Sequence, residues 1–277
     1  MKISRIPQKV LFQKGDILDP VKKTKKPGDL LVINGEIVDI GRIDTPDDAI
    51  IYDCTGLVIT HGFCDLHVHF REPGREDKET LQTGSMAAMA GGFTRVCVMP
   101  NTDPPLDTPE AMNFIQERST SCPVHIHPIG AVSKGQKGKD LTEMGLMKEM
   151  GAVAFSDDGL PIQDGSVMRR ALEYANMLNV PIINHAEDEC LRAGGVMNEG
   201  IVSTRLGLVG NPAKAESIMV HRDLELSALT GAKIHVPHIS TIASVGHIKQ
   251  MKTNNDRVTA EVTPCLLYTS PSPRDRG

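Results

Sequence analysis

The sequence predicts an α/β chain: a (β/α)8 TIM-like barrel, incomplete at strand eight, behind a small N-terminal β domain. Three observations carry this prediction. From Leu57 onward, strand-like and helix-like segments alternate at the spacing of parallel β/α units. Seven strands can be read in this way before Pro264. Polar residues gather at the C-terminal ends of those strands, the face on which such barrels carry their chemistry.

The elements follow in order. Residues 1–56 read as short strands and turns. Apolar runs at 29–33 and 36–40 flank Asn34-Gly35, a hairpin signal. The basic run 22–26 adjoins Pro27-Gly28 and reads as a solvated loop. Barrel strands are expected at 63–68, 94–99, 124–129, 152–155, 181–184, 233–237 and 257–262. Helices are expected at 78–90, from Pro109, and at 141–150, 167–178, 213–229 and 242–251. Gly91-Gly92 precedes a strand and reads as a helix stop, not a phosphate loop. No G-x-G-x-x-G turn follows the first strand. That disfavours the dinucleotide-binding form of the runner-up, an open doubly wound sheet. The domain division is set at 1–56, 57–264 and a tail at 265–277.

Composition narrows the classes. The chain has 277 residues and a formal charge of −5. No basic excess exists to meet phosphates, so nucleic acid and membrane surfaces are not expected partners. Trp is absent and aromatics make up 3% of residues, so the core must be aliphatic. The N-terminus lacks the apolar run of a signal peptide, and no stretch approaches the ~20 apolar residues of a spanning helix. A cytoplasmic protein is expected. Cys54, Cys64, Cys97, Cys122, Cys190 and Cys265 show no C-x-x-C spacing and read as small buried thiols.

The strongest chemical motif is Asp65-Leu66-His67-Val68-His69-Phe70-Arg71-Glu72-Pro73-Gly74. Side chains alternate along a strand, so His67 and His69 point the same way and both can reach one metal ion. A lone H-x-H is weak evidence. His125-Ile126-His127 has the same spacing, but no carboxylate or glycine loop follows it, and it reads as two polar side chains on one face. Company strengthens the first pair. Asn101 follows strand two, Asp157 and Asp158 follow strand four, His185 strand five and His238 strand six. Four His and an Asp converging on one rim are hard to explain structurally, because unpaired polar clusters are costly to bury. A one- or two-metal centre is the natural reading. His61, His221, His235 and His247 read as ordinary. For His235 the reason is its separation of three from His238, which gives opposite faces while the strand persists.

H-V-H-F-R-E-P-G, G-G-F-T-R, V-M-P-N-T, F-S-D-D-G, N-H-A-E-D, H-I-S-T and A-E-V-T-P occur in that order. Together they resemble the bacterial class I dihydroorotases of the amidohydrolase superfamily, from about Gly35 to Pro264. The resemblance implies a metal-dependent hydrolase barrel. Its reaction would be the reversible cyclisation of N-carbamoyl-L-aspartate to L-dihydroorotate in de novo pyrimidine synthesis. It implies one or two Zn2+ ions, with His67 and His69 at the first, His185 and His238 at the second, and Asp158 bridging. It assigns Arg71 and Asn101 to the substrate carboxylate. The choice of Asp158 over Asp157 rests on the resemblance alone. Many relatives bridge with a carboxylated Lys. No Lys stands at the end of strand four here and Lys148 belongs to the preceding helix, so the chain resembles the Asp-bridged subgroup.

The chemistry fits these residue types. An Arg fork matches a carboxylate, and metal coordination lowers the pKa of water toward ~7. The expected partner is a small-molecule substrate; a homo-oligomer and an aspartate transcarbamoylase partner are compatible with the resemblance. Two alternatives stand beside it. A hydantoinase- or allantoinase-type cyclic amidohydrolase shares the metal logic but needs no carboxylate clamp. A non-catalytic dihydroorotase-like scaffold for aspartate transcarbamoylase would typically lose metal ligands, whereas all five positions are filled here.

Residues 265–275, C-L-L-Y-T-S-P-S-P-R-D, match an in-frame translation of a common transposon-based sequencing adapter. The native coding sequence is therefore expected to diverge after Pro264. The resemblance puts the proton-shuttle Asp at the end of strand eight, beyond that point, so no catalytic residue is assigned and Asp275 is not drafted. The chain as written is expected to be inactive and poorly folded.

Overall fold

The computed structural model describes residues 8–253 and 255–263. The residues fall into two compact units that divide at Gly62/Phe63.

The first unit is a β sheet. β1 (Lys9–Asp19), β2 (Thr24–Ile33), β3 (Glu36–Gly41) and β4 (Ile50–Asp53) run in the order β3-β2-β1-β4. β5 (Val58–Ile59) also pairs with β1, in parallel through Asp16 and Ile17. That pairing carries the unit past the expected boundary at residue 56. β2 and β3 form the expected hairpin. Asn34 at φ +52° and Gly35 at φ +85° both take the left-handed backbone that a two-residue turn requires. The 22–26 run is solvated but is not all loop, because Lys25 and Lys26 lie within β2, paired to Leu18 and Ile17.

The second unit is built on a seven-stranded parallel sheet. Its strands are β6 (Phe63–Val68), β7 (Phe93–Val98), β8 (His125–Gly130), β9 (Ala154–Ser156) and β10 (Ile182–Ile183), with β13 (Ile234–Val236) and β14 (Val258–Ala260). They lie side by side in chain order from β6 to β14. β11 (Met197–Asn198) and β12 (Gly210–Asn211) pair only with each other. The sheet is rolled: the β6 residue His67 lies 3.3 Å from Glu261, just beyond β14, although these strands form opposite edges. Side chains at the C-terminal strand ends therefore converge.

The helices are α1 (Leu81–Ala90), α2 (Pro109–Ser119), α3 (Met144–Glu149), α4 (Gly165–Leu178), α5 (Glu189–Arg192), α6 (Ile201–Leu206), α7 (Ala213–Thr230) and α8 (Ile242–Lys252). The starts of α1, α2, α4 and α8 are set by side-chain caps. Thr80 accepts from Thr83 N, Thr108 from Ala111 N, Asp164 from Ser166 N and Thr241 from Ser244 N. Two helices start later than expected for local reasons. Thr80 caps α1, so residues 78–80 stay outside it. Leu141 is held in a bridge to Ser133, so α3 begins only at Met144. Gly91 caps α1 and Gly92 follows at φ +82°, which makes the pair the expected helix stop.

The core between sheet and helices is filled by Val96, Val98, Met112, Ile115, Met144, Met147, Met168 and Leu172, with Phe155 as the large aromatic. Each such side chain stabilises the fold by about 1.5–3 kcal/mol when fully buried. Gly130 at the end of β8 is fixed by this packing, since a Cβ there would lie 2.6 Å from Met147 and 2.8 Å from the Phe155 ring. The cysteines depart from expectation. Cys54 and Cys97 are buried, but Cys64 and Cys190 are exposed and Cys122 is half-buried. All five are free thiols, and Cys265 lies outside the described residues, as do the adapter-like tail and Pro264. Among the described residues no helix is long and apolar enough to cross a membrane.

Candidate metal centre

β6 delivers His67 within the strand and His69 just after it. Met99 N donates to Val68 O at 2.9 Å, which extends the β6–β7 pairing to this point. Phe70 is buried against α1, where Gly84 leaves room: a Cβ there would lie 2.4 Å from the Phe70 ring. The next residue, Arg71, turns the chain at φ +63°. Gly74, at φ +92°, packs directly on the Asp103 backbone, so a Cβ would fall 1.7 Å from the Asp103 carbonyl oxygen. Asp103 N donates in return to Pro73 O at 3.1 Å. The loops bearing Arg71 and Asn101 are thus fastened together.

Asp158 stands at the centre. Its side chain is 6% exposed. One oxygen, Oδ2, lies 3.5 Å from His67 Nε2 and 3.4 Å from His69 Nε2. The other, Oδ1, lies 3.6 Å from His185 Nδ1 and 3.7 Å from His238 Nε2. Within each pair the ring nitrogens are equally close: 3.2 Å for His67 and His69, 3.1 Å for His185 and His238. Two donors on one tetrahedral zinc at about 2.0–2.1 Å lie roughly 3.3 Å apart. The donor set therefore has the edge lengths of metal ligands. Asp158 Oδ1 is buried and has no hydrogen-bond partner among the described residues. A buried carboxylate oxygen left in this state is costly unless a cation meets it. The donor atoms of His67, Asp158 and His238 all lie within 4.8 Å of one another.

The electrostatics agree with a cation site. Burial opposes ionisation of Asp158, but the close imidazoles of His185, His238 and His67 outweigh it and hold the carboxyl far below its ordinary range. Burial likewise opposes charge on His67, yet Asp158 and Glu261 lift that imidazole to about 9. Burial wins at His69 and lowers it. The neighbouring Asp157 has a different task. It is fully buried and accepts from Val132 N at 2.8 Å, Ser133 N at 3.1 Å and the Ser133 hydroxyl. Burial pushes it up to about 6. Asp157 fastens the loop after β8, while Asp158 faces the histidines; sequence alone left that choice open.

Further polar groups lie against the imidazoles on the side away from Asp158. His69 Nδ1 meets Asn101 Oδ1 at 2.8 Å. His67 Nδ1 faces Glu261 Oε1 at 3.3 Å. His185 Nε2 faces Glu187 Oε2 at 3.8 Å, and Glu187 also accepts from Asn211 at 2.7 Å. From sequence, Glu261 has no role beyond its place in A-E-V-T-P, and His235 is expected to be ordinary and to face away from His238. His235 is buried in β13 with Nε2 3.4 Å from Glu261 Oε2. The strand ends at Val236, and His238 then takes φ +36°. Strand alternation therefore lapses between the two histidines, and both serve the same interior. The decoy pair remains apart: His125 is exposed on β8 and contributes nothing to the cluster.

A cavity of about 520 Å³ opens beside His185 and His238, lined also by Asn198, Asn211, Lys214 and Thr241. Part of its wall, Asn198, Glu199 and Asn211, comes from 189–211, a segment of short elements with no periodicity to announce it. Asn101 has its amide oxygen on His69, and its Nδ2 lies near Gly159 across the rim. The Arg71 guanidinium makes no hydrogen bond or ion pair among the described residues.

Comparison with known proteins adds the family. The dihydro-orotase-like family model matches residues 56–244. A protein named dihydroorotase from Pelotomaculum thermopropionicum is 47% identical over 256 residues, covering 92% of this chain and 60% of that protein. Another of that name, from Syntrophus aciditrophicus, is 46% identical over 259 residues, covering 92% and 61%. The chain thus spans about three-fifths of the length of these relatives. Among solved structures, an L-hydantoinase (dihydropyrimidinase) from Arthrobacter aurescens superposes with a TM-score of 0.79 at 21% identity, over 92% of this chain and 58% of that one. A D-hydantoinase from Thermus sp. gives 0.75 at 23%. At these identities the likeness is one of fold.

Proposed function

The chain belongs to the dihydroorotase-like family, and from that premise we propose that its activity is the reversible, zinc-dependent cyclisation of N-carbamoyl-L-aspartate to L-dihydroorotate. One observation carries the metal part of this reading: each oxygen of Asp158 faces its own pair of histidines. His67 and His69 would hold one zinc, His185 and His238 the other, with Asp158 bridging. Bound zinc would supply acidification of a water and polarisation of the ring amide carbonyl. The seven-stranded arc is read as seven strands of a (β/α)8 TIM-like barrel, with the site at its C-terminal face. A cytoplasmic setting belongs to the same reading.

The remaining work falls to side chains. Arg71 would pair its planar fork with the substrate carboxylate, a role supported by its unpartnered guanidinium. Asn101 would offer Nδ2 to the same carboxylate while its oxygen holds His69, which couples substrate binding to the metal site. Ring closure forms a C–N bond between the carbamoyl nitrogen and the side-chain carboxyl carbon, breaks one C–O bond of that carboxyl to release water, and needs a group to take the proton from that nitrogen. No described residue is assigned to that step. The filled ligand positions weigh against a scaffold that has lost its metals. The carboxylate clamp and the names of the 43–47% identical relatives weigh against a hydantoinase.

A panel of dihydroorotate, hydantoin and allantoin tests the proposal. It should be run on the 277-residue chain and on the protein translated from its gene read through codon 264. Turnover of dihydroorotate by the latter, with a raised KM in Arg71→Lys, is the expected result. Preference for hydantoin or allantoin would overturn it.

A further inference from the structure

Behind the first histidine pair the structure lines up a chain of close polar side chains, one hydrogen bond and two carboxylate–imidazole approaches, that the proposed reaction does not require. Thr259 Oγ1 lies 2.8 Å from His235 Nδ1. His235 Nε2 lies 3.4 Å from Glu261 Oε2. Glu261 Oε1 lies 3.3 Å from His67 Nδ1, and His67 Nε2 faces Asp158 and His69. We infer that Glu261, faced by His235, which Thr259 holds in turn, is a positioning residue that sets the ring orientation and tautomer of His67 for its metal. The inference rests on the proposed metal reading of the site.

Proton counting gives the chain a single direction. To ligate through Nε2, a neutral His67 must carry its proton on Nδ1, which then donates to Glu261 Oε1. A neutral His235 donates from Nε2 to Glu261 Oε2 and accepts at Nδ1 from the Thr259 hydroxyl. Each carboxylate oxygen thus receives one imidazole N–H, and every ring nitrogen in the chain has a defined task. The reverse tautomer of His67 would point a proton at the metal position and leave two acceptors facing each other at Glu261.

Glu261 is itself fixed by the backbone. Its N–H donates to Val236 O at 3.1 Å, and its carbonyl accepts from Ile239 N at 3.0 Å. The carboxylate is therefore anchored to the turn that carries His238. His235 is buried, so its ring has no water to compete for Glu261. The four histidines are not supported alike. His69 has a neutral amide behind it and His185 has a carboxylate at the longer distance of 3.8 Å. Among the described residues, only His67 is backed by a carboxylate that a second imidazole also grips. Outer-shell partners of this kind are worth about 10–100-fold in metal affinity.

The test is a zinc titration of the metal-stripped 277-residue protein against a chromophoric chelator, with Co2+ absorption spectra as a second readout. Wild type should bind two ions per chain. Glu261→Gln should weaken one binding step by about 10–100-fold, leave the other within about two-fold, and alter the Co2+ spectrum of the weakened step. His235→Asn, with Glu261 left in place, should weaken the same step by a smaller factor; it also serves if Glu261→Gln fails to fold. A folded Glu261→Gln, or in its absence a folded His235→Asn, that binds both ions with wild-type affinities and spectra would overturn this inference and leave the metal reading standing. A wild type that binds neither ion would overturn both.

Discussion

Asp223 on α7 offers a sharp test of how the fold holds β10 and, through it, His185. The carboxylate is 1% exposed. Its Oδ1 accepts from Arg222 Nε at 2.9 Å and from an Arg222 terminal nitrogen at 2.7 Å, while Oδ2 accepts from Asn184 Nδ2 at 2.6 Å. Arg222 in turn donates to the carbonyls of Gln163 and Ile162, both at 2.8 Å, so one ion pair joins α7, the loop after β9 and the end of β10. Asp223→Asn keeps the shape but puts an NH2 where an acceptor stood. That group either faces the guanidinium, donor to donor, or faces Asn184, whose amide must then turn its unpartnered Oδ1 toward it and leave its own buried NH2 unpaired. At least one hydrogen bond to a charged acceptor is lost, about 1.5–3 kcal/mol, and a buried donor is left without a partner, about 1–3 kcal/mol more. The Arg222 side chain is 22% exposed, so water relieves part of the deficit. The net expectation is about 3 kcal/mol, or a fall in Tm of about 6–12 °C for a chain of this size. Thermal and urea melts of the two proteins measure it. A change within about 0.5 kcal/mol would refute the argument that this pair is structural.

Other perturbations separate neighbouring roles. Asp158→Asn should fold and lose metal, whereas Asp157→Asn should keep its metal and lose only about 1 kcal/mol of stability, since the amide oxygen can still accept from Val132 and Ser133; metal analysis beside a melt distinguishes them. Gly74→Ala should destabilise by on the order of 3 kcal/mol or more, because a Cβ at φ +92° runs into Asp103, and a melt reads the loss directly. Glu216 accepts from Ser240 and Thr241 at the start of α8. Burial would raise its pKa, but those contacts with Ser240, Ser244 and Thr241 lower it below the ordinary 4.5. Its stabilisation is therefore complete above 4.5 and is lost as pH falls through the depressed folded value, so wild type should lose its advantage over Glu216→Gln in melts run from pH 7 down to 3.

The alternation of strands and helices was legible because many elements have a local cause: apolar runs for the buried strands, and Thr108 and Thr241 for the helix starts at Pro109 and Ile242, whereas Thr80 and Asp164 set starts that differ from the expected ones. The convergence of His67, His69, Asp158, His185 and His238 was legible too, because parallel strands in chain order bring their C-terminal ends to one face. What stayed hidden depends on distant partners. Glu261 looks like any strand-end carboxylate until the rolled sheet brings it to His67 from the opposite edge. His235 was misread because the period-two rule was carried past Val236, where the strand stops. Asp157 and Asp158 differ only in which way the chain leaves β9. The segment 189–211 gave no signal, since its helices and strands are too short for periodicity. The end of the first unit was missed because β5 is a two-residue strand that only its pairing to β1 reveals.

Two metal positions are proposed, bridged by Asp158 and each completed by its own histidine pair. The most direct measurement is the zinc content of the purified chain after loading and gel filtration. The account predicts two ions per chain, one in the His185→Ala/His238→Ala variant and one in the His67→Ala/His69→Ala variant. Zinc in the wild type no higher than in a variant lacking all four histidines would contradict it.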